Sequence, residues 1–222
     1  MLKKLLLLSL VVVSMTSCYT TTTVSTAKYS VSLLDKDNNK IDTAGILVFR
    51  DSSIDAFFDF KEKDLSVSIK NKTDKSIKLI WDETLFIVDG SSSKVMHEGI
   101  KFANRNEFMP PSVIPTNYTI SDVVIPTNNV YYKEGYYSQY GSTPPSWEKE
   151  PLLPSTLNKD SKIQLYMPLI INGETKEYNF TFNVENKDTY LSNKKELNSS
   201  KSILLVTILT LIPLTILMSG GQ

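Results

Sequence analysis

Between Tyr29 and Val184 apolar side chains return at every second position, and a chain patterned this way must lay one face of each strand on a shared core. Val31 and Leu33 in "YSVSLL", Leu65, Val67 and Ile69 in "LSVSIK", and Ile77, Leu79 and Trp81 in "SIKLIW" each share a face. Period two belongs to strands, whose successive side chains point to opposite sides, and not to the 3.6 repeat of a helix. Further strands are expected at "ETLFIVD", "YTISDVVI", "SKIQLYMPLII" and "EYNFTFNV". The last two flank "NGET", and Asn-Gly is the favoured two-residue hairpin turn because both residues accept positive φ. "GILVFR" and "AFFDF" form another expected pair. "DLSVSIKNKTDKSIKLIWD" is expected as a hairpin closed by the polar turn "NKTDKS".

About nine short strands with no amphipathic helix between them predict an all-β, antiparallel sandwich. It would occupy residues 29–186, with Trp81 as a central plug. The pattern, with its N-K-T-x-K-S-I turn between two core strands, is similar to the immunoglobulin-like accessory domains of many bacterial lipoproteins. That resemblance implies an architecture and carries no activity with it.

The chain begins with Lys3 and Lys4, an apolar run from Leu5 to Val13, and the small polar residues Ser14, Thr16 and Ser17 ahead of Cys18, its one cysteine. This order is that of a secretory signal. A run of nine residues is too short to cross about 30 Å of hydrocarbon at 1.5 Å each, which argues for removal rather than anchoring. "MTSC" resembles the lipobox of bacterial lipoproteins, with Met15 in place of the commoner Leu. The resemblance implies that the signal helix, residues 1–17, is cleaved and that Cys18 carries a diacylglyceryl thioether. Residues 18–28 would then tether the domain to a membrane of the bacterial cell envelope, outside the cytoplasm.

At the other end, "ILLVTILTLIPLTILM" (203–218) has no charge. Extended through the small residues to Gly221 it would form an apolar helix of about 30 Å, long enough to span a thin bilayer. It follows a polar linker, residues 187–202. A second membrane anchor over 203–221 is expected, and a true span favours the cytoplasmic membrane. Lys194, Lys195 and Lys201 would lie on the outer side, against the positive-inside bias, so a helix that docks a membrane partner is the alternative. In that case the protein would be an assembly component of an envelope complex.

Charge excludes one class of partner. Lysine plus arginine equal aspartate plus glutamate at 24 each, and loss of 17 residues with two lysines leaves 205 residues at a formal −2. No basic face for nucleic acid follows from such a balance. With Cys18 acylated no thiol remains for disulfide, thiolate or metal chemistry. His97 is the single histidine, too few for a zinc site or a Ser-His-Asp relay, and reads as a half-buried strand end. Asp35, Asp37, Asn39 and Asp42 loosely imitate a calcium loop but lack its glycine and terminal glutamate, so a polar turn is expected. Asp82 and Glu83, adjacent on an expected strand, would point to opposite faces. No cofactor and no catalytic residue are expected, with a carboxylate-dependent hydrolase as the remote alternative.

Composition changes between residues 109 and 154, which hold eight of the ten prolines, Pro110, Pro111, Pro115, Pro126, Pro144, Pro145, Pro151 and Pro154. Proline cannot donate to a ladder, so edges and loops are expected here. Tyr131, Tyr132, Tyr136, Tyr137, Tyr140 and Trp147 crowd into this stretch. Tyrosine gives large, stiff, amphipathic contact area, so these six are the candidate partner-binding residues. The plainer alternative has them capping one open end of the sandwich.

Overall fold

Alternation in the sequence becomes alternation in burial. The computed structural model describes residues 19–41, 45–138 and 141–197. The expected signal at 1–17, Cys18, Asp42, Tyr140 and the apolar segment 203–221 lie outside the described residues. The strands are β1 (Tyr19–Leu34), β2 (Leu47–Arg50), β3 (Ile54–Phe60), β4 (Leu65–Asn71), β5 (Ile77–Leu79), β6 (Leu85–Val88), β7 (Ser91–Met96) and β8 (Ser112–Ile114). They continue with β9 (Thr119–Pro126), β10 (Val130–Lys133), β11 (Tyr136–Ser138), β12 (Gly141–Thr143), β13 (Ser146–Lys149), β14 (Lys162–Ile171) and β15 (Glu174–Leu197). The chain divides into two compact units. One is residues 27–189, to which the following refers. Of the other, 1–26 with 190–222, the described part is strand backbone over 19–26 and 190–197.

The protein is all-β and its strand pairs are antiparallel at every register assigned. Among the described residues eleven strands form one sheet in the order β1-β15-β14-β6-β7-β9-β4-β3-β2, with β5 beside β14 and β8 beside β5. Hydrogen bonding joins the two halves of that order into one continuous sheet. The join is β7. Its first four residues pair with β6, and Val95 and Met96 then turn onto Pro126 and Ile125 of β9.

The expected hairpin over 64–82 is not formed. β4 pairs with β3 and β9, whereas β5 pairs with β14 and β8, so "NKTDKS" carries the chain across the core. Asn71 explains the redirection. Its buried amide donates to the Lys75 carbonyl at 2.7 Å and the Ile114 carbonyl at 3.0 Å, while its Oδ1 accepts from the Thr73 N–H and hydroxyl, both at 2.8 Å. The turn is thereby locked to a neighbouring segment and denied the geometry of a tight hairpin.

Other expectations survive intact. Ile171 pairs with Glu174 across Asn172 and Gly173, at φ 56° and 88°, the left-handed pair that an Asn-Gly turn supplies. β2 and β3 pair as expected. Phe58 packs on Phe180 and Phe182 with ring centroids 4.7 and 5.2 Å apart, Phe60 on Phe182 at 5.0 Å, and Phe49 on Phe180 at 5.3 Å. This aromatic seam fills the space between β2–β3 and β15. Trp81 is buried, donates its indole N–H to Ser112 Oγ at 2.8 Å, and stacks on His97 at 4.6 Å. Asp82 and Glu83 lie with Trp81 in a 3-10 turn rather than a strand. Pro168 of β14 falls opposite this break, where Ile80 donates to its carbonyl at 3.1 Å.

Two boundaries shift. β1 starts at Tyr19 and β15 runs to Leu197, so strand occupies much of the stretches expected as tether (18–28) and linker (187–202). Thr20 to Val24 are all β-branched, which suits a pleated backbone even without an apolar stripe. Asp35 caps its turn through the Asp37 and Asn39 N–H groups, both at 2.8 Å, a polar turn as its spacing predicts.

Candidate interaction arm

The tyrosine-rich stretch is a two-tiered hairpin. β10 and β13 form the inner tier, with Tyr131 opposite Glu148 and Tyr132 opposite Trp147. β11 and β12 form the outer tier, with Tyr136 opposite Thr143 and Tyr137 opposite Ser142. Edges and loops were expected throughout 109–154. The strand expected at "YTISDVVI" is β9, interior between β4 and β7, and the remainder of the region holds these hairpins as well.

Alternation sorts the inner tier. Val130 is buried and Trp147 packs partly on the core, so the face they share holds the arm to the domain. The Trp147 ring is met edge-on by Tyr132 at 5.2 Å and covered by the Arg105 guanidinium at 5.0 Å. The opposite face carries a polar chain. Tyr131 donates to Glu148 Oε2 at 3.0 Å, and Lys133 Nζ lies 3.2 Å from Glu148 Oε1. The hydrogen bond to Glu148 raises the Tyr131 hydroxyl above its ordinary pKa, and Lys133, then Tyr131, hold Glu148 below its own. At the root, Lys149 meets Asp64 at 2.7 Å and the Glu150 N–H donates to the Asn129 carbonyl.

Gly135 joins the tiers. A Cβ there would stand 2.7 Å from Pro145 Cδ and 2.9 Å from the Thr143 carbonyl, so only glycine admits this close approach. Beyond it the tyrosines face water, with Tyr136 58% and Tyr137 72% exposed, and Tyr132 half exposed. They do not cap an open end of the core, the plainer expectation. Of the six candidates four are exposed on the arm, Trp147 is its half-buried root, and Tyr140 lies outside the described residues. Arg105 was missed, for no local pattern ties it to a tryptophan 42 positions away.

Polar chemistry elsewhere is structural. His97 Nδ1 lies 3.3 Å from Asp122 Oδ2 off the hydrogen-bonding line, and neither ring nitrogen has a hydrogen-bond partner. Among the described residues no group of three or more His, Cys, Asp or Glu could hold a metal ion, and no helix is long and apolar enough to cross a membrane. No family model matches the chain, and neither a curated protein nor a solved structure matches it.

Proposed function

We propose that the protein is a membrane-tethered bacterial lipoprotein whose β domain makes contact with a protein or another envelope component through the two-tiered tyrosine arm. One observation carries the contact surface. Strands β11 and β12 carry exposed side chains, Tyr136 and Tyr137 among them, although a lone two-stranded hairpin gains little stability by itself. Such an element spends folding energy on display. Tyrosine, tryptophan and arginine, all present here, are the residues that dominate contact energetics.

The architecture in this reading is immunoglobulin-like. The order β3-β4-β9 on one side and β15-β14-β5/β6 on the other supports it, matching the A-B-E and G-F-C strand neighbours of that fold. Lipid attachment at Cys18 rests on the charge, apolar and "MTSC" order of residues 1–18. The role in this reading is contact rather than catalysis.

The Tyr136→Ala/Tyr137→Ala variant of the full chain tests the arm. Its thermal midpoint is expected to stay within about 2 °C of the parent, since exposed side chains add little to stability. In-cell crosslinking to envelope components at the arm is expected to fall several-fold. Unchanged crosslinking would overturn the reading.

A further inference from the structure

The root of the arm lies at the end of the 27–189 unit where Tyr29 and Lys187 stand. Lys149 at its root is bound to Asp64 in the β3–β4 turn, and the Leu152 N–H donates to the Glu62 carbonyl in that turn. The next residues meet the two exits. Tyr29 donates to the Pro154 carbonyl at 2.8 Å, and Lys187 to the Ser155 carbonyl at 2.6 Å. The opposite end holds the β2–β3 turn, where Lys176 of β15 reaches Asp51. Eleven steps along one strand separate Lys176 from Lys187, about 35 Å at strand spacing.

Chain length limits how far this end can stand from a lipid on Cys18. Nine residue-to-residue steps separate Cys18 from Ala27, which span at most about 32 Å. The six steps from Tyr131 to Tyr137 span at most about 20 Å at strand spacing. The arm's length thus falls within the reach of the tether.

Resting on the tether reading, we infer that the arm's partner is the lipid surface itself, with Tyr136 and Tyr137 seated in the headgroup layer of the membrane that holds Cys18. Tyrosine suits that depth because its ring is apolar and its hydroxyl is wet, and it is enriched at bilayer interfaces for this reason. The arm bears no leucine, isoleucine or phenylalanine that would drive it deeper. Lys133 and Lys149 against Glu134, Glu148 and Glu150 leave it no positive excess. Anionic lipid is accordingly not required, and salt has little to screen.

The test uses the full acylated chain in phosphatidylcholine vesicles carrying a nitroxide at the lipid headgroup. A fluorophore is placed through Ser142→Cys on the arm or Ser52→Cys at the opposite end, after intact mass shows Cys18 to be blocked by lipid. Quenching at position 142 is expected to exceed that at 52 several-fold, to persist at high salt, and to collapse in the Tyr136→Ala/Tyr137→Ala background. Equal quenching at the two sites in acylated protein overturns the inference and leaves the tether standing, the result expected if the arm serves a protein partner. A free Cys18 thiol sinks the tether and this inference together.

Discussion

Asp51 Oδ2 accepts the Tyr178 hydroxyl at 2.9 Å, fastening the β2–β3 turn to the first half of β15. Lys176 donates to the same oxygen at 2.7 Å, and the Ser53 and Ile54 N–H groups occupy the other at 2.8 Å. Partial burial pushes the Asp51 carboxyl up, but these hydrogen bonds together outweigh it and hold the group below its ordinary value. A depressed carboxyl stabilises the fold above the unfolded value of about 3.9, and that stability is lost as pH falls through the folded value. Tyr178→Phe should cost about 1 kcal/mol and Asp51→Ala about 2–3 kcal/mol at pH 7. In urea unfolding the gap between parent and Asp51→Ala should narrow at pH 3. A gap independent of pH would contradict the assignment.

Asn71→Ala should be among the costliest polar changes. It strips the Ile114 carbonyl, which is buried, of its amide donor and dissolves the turn that sends the chain from β4 to β5. About 2–3 kcal/mol is expected from the unpaired group alone. Denaturant titration giving less than about 1 kcal/mol would show the turn to be held by its ends.

Adjacent residues on β3 separate the two faces. Phe58→Ala removes a buried ring from the aromatic seam and should cost about 3–5 kcal/mol. Phe57, 36% exposed on the other face, should cost less than about 1 kcal/mol as alanine. Thermal unfolding of the pair decides it, and equal costs would mean that β3 is out of register.

Gly135→Ala should disturb the arm and spare the domain. Pro145 Cδ and the Thr143 carbonyl occupy the space a methyl needs, so the outer tier must swing or unpair. Amide exchange is expected to quicken at 136–143 with no change in β4, β9 or β14. Protection lost throughout the sheet would show the arm to be part of the core.

These contrasts mark what local pattern can reveal. Tyr178, Phe180, Phe182 and Val184 alternate and are all buried, and Asn172-Gly173 demands its turn, so the hairpin of β14 with the first half of β15 was legible. The choice of partner across "NKTDKS" was not, since Asn71 bonds to Ile114, 43 residues on. β7 was hidden because "SSSKVM" carries apolar residues only at its end, where the strand changes partner. The site was half visible. Composition singled out the tyrosines, but β11 and β12 are three residues each and show no periodicity, and the Arg105–Trp147 stack is written nowhere in local sequence.

The most direct test of the account is the intact mass of the membrane fraction, comparing the native chain with Cys18→Ser. The account predicts a native chain beginning at Cys18 with a diacylglyceryl-sized addition, and its loss in the variant. A native chain that keeps residues 1–17 and an unmodified Cys18 would contradict it.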